Sequence, residues 1–213
     1  MASPNISFDS IPSSIRKPGK YFEFNTKLAV RTLPVNDQKV LLIGPMLATG
    51  LQAPLTPVDI FSDEDAAVYF GRGSVAHLMA RSAIKSYGYV RLSMIGVLDS
   101  GAGVVATGTV TLTGPATSSG QVSLRINNTQ VDIAVTNGNT ANALATKLQT
   151  AISALDDLPV TASVAGAVIT LTCRHKGSVG NEIAVTSIIT ATGVTAAIVA
   201  MNAGAGEDRK SVV

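Results

Sequence analysis

Ala106-Thr-Gly-Thr-Val-Thr-Leu-Thr113 alternates in the manner of a strand and opens the stretch that decides the fold, Val104 to Met201. Gly114-Pro115 begins a polar turn that ends at Gly120. Gln121-Val-Ser-Leu-Arg-Ile126 reads as a second strand, Asn127-Asn128 as a tight turn, and Gln130-Val-Asp-Ile-Ala-Val135 as a third strand. There the period changes. Ala141, Leu144, Ala145, Leu148, Ala151, Ile152 and Leu155 recur at helical spacing, with Thr140 placed as N-cap and Pro159 just beyond the end. Three more strand-like runs follow, at Val160–Val164, Val168–Cys173 and Ile183–Ile189. A glycine-punctuated loop from Arg174 to Glu182 separates the last two. One amphipathic helix laid on a mostly antiparallel sheet buries the apolar faces of both, so this stretch is expected to hold its own core.

Its flanks are alike. Asp99-Ser-Gly-Ala-Gly103 precedes it and Asn202-Ala-Gly-Ala-Gly206 follows it. Paired small, flexible linkers are what a domain inserted into a host needs, because the chain must leave the host and return. The expected class is α+β. Its expected parts are an extended arm at 1–24, a partial α/β domain at 25–100, an inserted β-rich domain at 104–201, and a linker with a tail at 202–213.

In the arm, Ile6, Phe8, Ile11, Ile15, Tyr21, Phe22 and Phe24 are spread among Pro4, Pro12 and Pro18. The prolines exclude a helix, and the apolar residues are too many for a solvated tail. Such a segment needs a surface to lie on, either its own domain or a neighbouring subunit reached by strand addition. Leu28–Leu33 and Lys39–Ile43 then read as two strands, the second a continuous apolar run expected at the centre of its sheet. Gly44 to Pro57 reads as loop. Ser62 is the expected cap of a short helix that stops at Gly71, and Ser74 that of a second helix ending near Gly88. Tyr89 to Leu98 returns as a strand. Such a layer leaves a sheet edge and part of a face open, so further chain is expected to cover it.

Composition narrows the function classes. Of 213 residues, 46% are hydrophobic and only 14% charged, which argues against disorder and for a well-buried chain; extensive subunit contact would account for the low charge, as would a bland Thr-rich and Ala-rich β-protein. A net charge of +2 with no basic run does not suggest nucleic acid. The single cysteine, Cys173, excludes an internal disulfide and favours a reducing compartment. Met1 to Asp9 lacks the features of a signal peptide, and the apolar stretches Val40–Ala48 and Ile188–Met201 are too short or too broken to span a membrane.

Candidate chemistry is sparse. Phe70-Gly-Arg-Gly-Ser74 before a helix suggests a phosphate-cradling turn, but it lacks the spacing of a nucleotide fingerprint, and a helix–helix turn with a serine cap is the plainer reading. In Leu42-Ile-Gly-Pro-Met46, Pro45 removes an amide that a phosphate would need. Cys173 and His175 share one strand face, yet with His77 as the remaining soft ligand no metal site is expected, and His175 is expected to begin a surface loop. Asp63, Glu64 and Asp65 suit a helix N-terminus, and Asp156 and Asp157 a helix-to-strand loop. No catalytic residue, cofactor site or metal site is assigned, and an enzyme is not expected.

Several segments in order resemble the contractile-tail sheath proteins of Mu-like bacteriophages. They are Ile6-Ser-Phe-Asp-Ser-Ile-Pro12, Arg16-Lys-Pro-Gly-Lys-Tyr-Phe-Glu23, Lys39-Val-Leu-Leu-Ile-Gly44 and Tyr69-Phe-Gly-Arg-Gly-Ser74. Ala106 to Pro115 and Arg174-His-Lys-Gly-Ser-Val-Gly-Asn-Glu-Ile183 extend the likeness through residue 202. The resemblance implies a structural homo-oligomer of stacked hexameric rings around a tail tube protein, joined to a baseplate and a tail terminator. It implies assembly in the host cytoplasm and a place in the virion tail. The sheath would shorten on host attachment and drive the tube through the envelope, with stored conformational energy in place of ATP. It implies no cofactor, no nucleic-acid partner and no membrane span. It assigns the inter-subunit arm to Ile6, Phe8, Ile11, Pro12, Pro18, Tyr21, Phe22 and Phe24, and turns the insert outward from the tube.

The family continues past the insert into further α/β chain and a second arm, so a truncated amino-terminal portion is expected. Asp208-Arg-Lys-Ser-Val-Val213 matches what a widely used sequencing adapter would encode, and the natural sequence is expected to stop near Glu207. The alternative is a β-rich binding or adhesin-like module of a phage or bacterial surface structure. From Gly101 onward there is no Trp, Tyr or Phe, whereas carbohydrate sites usually offer exposed aromatics. That absence favours the sheath.

Overall fold

Two stretches of alternating and helical periodicity form two separate hydrophobic clusters in a computed structural model of the chain. The structure describes residues 39–88 and 90–206, together with positions 14, 16–20 and 22. The expected strand at 28–33 lies outside the described residues.

The first cluster belongs to an α/β layer. Strands β1 (Lys39–Met46) and β3 (Arg91–Leu98) pair in parallel, and β2 (Pro57–Ile60) adds antiparallel to the far side of β3. Between β2 and β3 run α1 (Asp63–Phe70) and α2 (Val75–Ser86). The Ser62 hydroxyl accepts the Asp65 amide at 3.1 Å, and Asp63, Glu64 and Asp65 lie in the first turn, where the helix dipole favours carboxylates. Ser74 caps α2 in the same way, accepting the His77 amide at 3.0 Å. Met46, Ile60, Phe70, Leu92 and Met94 form the core with small residues of both helices. Gly44 lets α2 lie close on β1, since a Cβ there would stand 3.3 Å from the Ala76 Cα.

Two expectations about this layer are corrected. Among the described strands β1 is an edge and β3 is central, in the order β1-β3-β2. The apolar run of β1 reads as central because both its faces are apolar, yet only the face toward α2 is covered. On the other face Leu41 is 54% and Ile43 58% exposed. The loop expected from 44 to 57 is interrupted as well, because β1 extends to Met46 and Pro57 begins β2, whose four residues are too few to show a period.

The second cluster belongs to residues 105–202. Strands β4 (Val105–Leu112), β5 (Gly120–Ile126) and β6 (Thr129–Val135) precede α3 (Ala141–Ser153). Strands β7 (Val160–Ala165), β8 (Val168–Lys176), β9 (Val185–Ile189) and β10 (Ala196–Asn202) follow it. Thr140 caps α3 through the Ala143 amide, as its position predicts. The strands form two antiparallel sheets, β10-β4-β8-β7 and β6-β5-β9, rather than the one sheet expected. Leu112, Leu124, Ile126, Leu144, Leu148, Ile152, Ile169 and Leu171 are fully buried among them. Strand β10 is a further departure: Ala196-Ala-Ile-Val-Ala-Met201 carries no polar alternation, so its pairing along β4 is invisible to a period-two reading. The class is α+β.

Candidate functional site

Of the arm positions, Pro18 and Phe22 fall among the described residues, and both are exposed, Phe22 at 81%. Ile6, Phe8, Ile11, Pro12, Tyr21 and Phe24 lie outside the described residues.

Polar side chains converge where the N-terminal end of α2 meets the β-rich region. The turn before α2 is built on Gly73, at φ +77°, a conformation that L side chains rarely adopt. A Cβ there would also lie 2.6 Å from the Leu158 carbonyl oxygen, so glycine is what allows this close approach. The Gly73 amide donates to His77 Nδ1 at 3.1 Å. That nitrogen must therefore be bare, and the ring proton sits on Nε2, 3.1 Å from Asp63 Oδ1. His77 is fully buried, and burial pushes its pKa down, against the opposing pull of Asp63.

Arg81, one turn further along α2, donates from Nε to both Asp63 oxygens at 3.0 Å and from Nη2 to Asp157 Oδ2 at 2.7 Å. Arg72 reaches Asp157 Oδ1 at 3.2 Å and also bonds Glu64. Asp157, in the loop after α3, thus takes a guanidinium on each oxygen. Burial disfavours its charge, but Arg81 and Arg72 outweigh that and hold its pKa below the ordinary carboxylate range. The Arg81 hydrogen bonds do the same for Asp63.

A second histidine closes the joint from the other side. His175, only 2% exposed, accepts the Val75 amide on Nε2 at 3.0 Å. Its proton is therefore on Nδ1, 2.9 Å from Asp99 Oδ1, while Asp99 Oδ2 accepts the Lys176 amide at 2.9 Å. Burial opposes the Asp99 charge, and His175 and the Lys176 amide overcome it, leaving the pKa lowered. The expectation that His175 begins a surface loop is therefore wrong. Strand β8 runs on to Lys176, and residue 175 keeps step with buried Ile169, Leu171 and Cys173.

This arrangement binds structure to structure. The amides of Gly73, Val75 and His77 already have side-chain acceptors, and the Ser74 amide donates to the Gly71 carbonyl at 3.1 Å. The phosphate-cradle reading of residues 70–74 thereby loses the Gly73 and Ser74 amides. Among the described residues no buried side-chain nitrogen or oxygen lacks a partner, and no group of three or more His, Cys, Asp or Glu could hold a metal. Burial raises the Cys173 thiol above its ordinary pKa, which leaves it a poor nucleophile. A cleft of about 490 Å³ opens at the carboxyl ends of β1 and β3, lined by Ile43, Pro45, Val97, Asp99, His175 and Val179. Its buried polar residues are already paired with each other. No helix among the described residues is long and apolar enough to cross a membrane.

Sequence reasoning placed Asp63 and Asp157 correctly in a helix start and a loop, but it found no basic partner for either. The partners of Asp157 are 76 and 85 residues away, beyond any local pattern. The His175 role had one available signal, its phase with the apolar alternation of β8.

No protein-family model matches the chain. A Mu-like prophage FluMu tail sheath protein of Haemophilus influenzae is 42% identical to it over 179 residues. That stretch is 84% of this chain and 37% of the relative, so the chain spans well under half the length of the protein it matches.

Proposed function

Because the chain is a relative of the Mu-like phage tail sheath proteins, we propose that it serves as part of a structural subunit of a contractile phage tail sheath. The 42% identity across 84% of the chain carries this reading. In it, copies of the subunit polymerise as stacked rings around a tail tube protein, between a baseplate and a tail terminator. Contraction then drives the tube through the host envelope. The work comes from the difference between two packed arrangements, so no catalytic residue is required.

Several features support the assembly reading. The α/β layer presents an uncovered sheet face with Leu41 and Ile43, and a parallel pair such as β1–β3 normally lies in a sheet covered on both sides. Phe22, bare at 81%, suits an arm that lies on another surface, and Ile6, Phe8, Ile11, Pro12, Pro18, Tyr21 and Phe24 are assigned with it. Residues 104–201 are read as the inserted domain, turned away from the tube, within a host domain that 25–100 form only in part. The separate hydrophobic clusters favour that division.

Immunogold electron microscopy of phage particles, with antibodies raised against residues 104–201, tests the role. Label along the whole tail length is the expected result, and unlabelled tails would overturn it. Deleting residues 1–24 is expected to leave rings that do not link into tubes, and intact tubes would remove the arm from the proposal.

A further inference from the structure

The two hydrophobic clusters share no residue: one is drawn from 42–98 and the other from 106–201. Polar groups hold the regions together, namely Arg81 and Arg72 on Asp157 and the Val75 amide on His175. The chain passes from the first region to the second at 99–104, and residues 203–206 run beside that passage. The Val104 amide donates to the Ala205 carbonyl at 2.6 Å, and the Ala205 amide to the Val104 carbonyl at 3.2 Å. A region joined by one short passage and a polar interface is built to move as a unit.

We propose that this junction is a proton-gated latch. With both imidazoles neutral the β-rich region is held on the α/β layer, and acidification frees it, still folded, about the passage at 99–104.

Geometry makes neutrality a condition of closure. Each ring uses its unprotonated nitrogen to accept a main-chain N–H at the start of α2, Gly73 for His77 and Val75 for His175. A second proton on either ring sets a donor against a donor. At His77 it also places a positive charge beside Arg81, whose Nη2 lies 3.4 Å from Nε2 and holds Asp157 of the β-rich region. The groups facing His77 are Asp63 from α1, Arg81 from α2 and Asp157 from the loop after α3. Those around His175 are Asp99 after β3, Lys176 beside it, and Cys173 on the same strand face. Asp63 and Asp99 can pair with an imidazolium, so their bonds survive a second proton, whereas the two amides lose their acceptors. Burial disfavours the charged form of His77, so the closed state binds fewer protons than any state that exposes it, and acid favours opening.

Amide hydrogen exchange of the whole chain at pH 7.5 and pH 5.0, corrected for intrinsic rates, tests the latch. Val75 is expected to lose at least tenfold in protection at pH 5.0 while Leu124 and Ile169 keep theirs. Protection of Val75 that is equal at the two pH values would overturn the proposal, as would its loss together with Leu124. The double variant His77→Asn, His175→Gln keeps an acceptor near each amide and cannot titrate, so its Val75 protection should not respond to pH. A response that persists there also refutes the latch. If the double variant does not fold, ring titration of the wild-type histidines by NMR decides instead. A ring midpoint that coincides with the loss at Val75 supports the latch, and midpoints well apart from that loss reject it.

Discussion

The β-rich region and the α/β layer use the same devices, capped helices on sheets of alternating strands, and they end in opposite conditions. In residues 105–202 two sheets and α3 enclose one cluster, so most large apolar side chains find cover within the region, Leu155, Val179, Ile188 and Val199 being the exposed exceptions. In residues 39–98 both helices lie on one face of a three-stranded sheet, and Leu41 and Ile43 on the other face stand more than half exposed. The first region carries its own hydrophobic stabilisation. The second reserves apolar surface, and a parallel strand pair with a bare face is expected to be completed from outside the described residues. That contrast supports the proposed assembly role, with one part enclosed on itself and one that offers apolar surface.

The sharpest way to break the contrast is to truncate one leucine in each region. Leu148→Ala, in the closed core, is expected to destabilise the β-rich region by about 2–5 kcal/mol, measured by urea unfolding. Equal tolerance of Leu148→Ala and Leu41→Ala would mean that the two regions are not differently enclosed.

Next in size is the joint between them. Arg81→Ala removes one partner of each of Asp63 and Asp157, leaving them His77 and Arg72, and should cost about 1.5–3 kcal/mol. The loss is expected in the unfolding of the α/β layer, with the β-rich region retaining its own midpoint. A single transition shifted as a whole would show the regions to be one cooperative unit.

A smaller, graded effect follows from pH. His77 has a folded pKa below its ordinary 6.5, so below about pH 6.5 the unfolded chain binds the proton that the fold resists. This contribution is complete above that value and is lost as pH falls toward the folded pKa. Asp63 and Asp157 are depressed below 3.8, so their contribution persists above it and disappears only in stronger acid. Urea midpoints that rise between pH 7.5 and 5.5 would contradict the assignment of His77 as neutral.

Two local changes complete the series. Thr140→Ala deprives the Ala143 amide of its acceptor and should cost about 1 kcal/mol, read as a lower midpoint of the β-rich region. Leu41→Lys, on the open face, should change the stability of the isolated chain by less than about 0.5 kcal/mol. A large loss there would show that the face is already covered.

Sequence alone carried the local decisions, because each depends on a few neighbouring residues. Ser62, Ser74 and Thr140 were legible as caps, Gly71 as a helix stop, and the strands from Ala106 to Val135 from their alternation, since a side-chain oxygen reaching an amide three residues on is a local event. Strand β10 and the four residues of β2 were not legible. One lacks polar alternation and the other is too short to have a period.

Only tertiary structure decided which sheet each strand joins, that β1 is an edge among the described strands, and that Asp157 and His175 meet α2. Hydrogen bonding along a sheet edge and the pairing of charges 76 or more residues apart depend on how separate faces are brought together. Periodicity reports that a face is apolar; what covers that face is settled by packing in three dimensions.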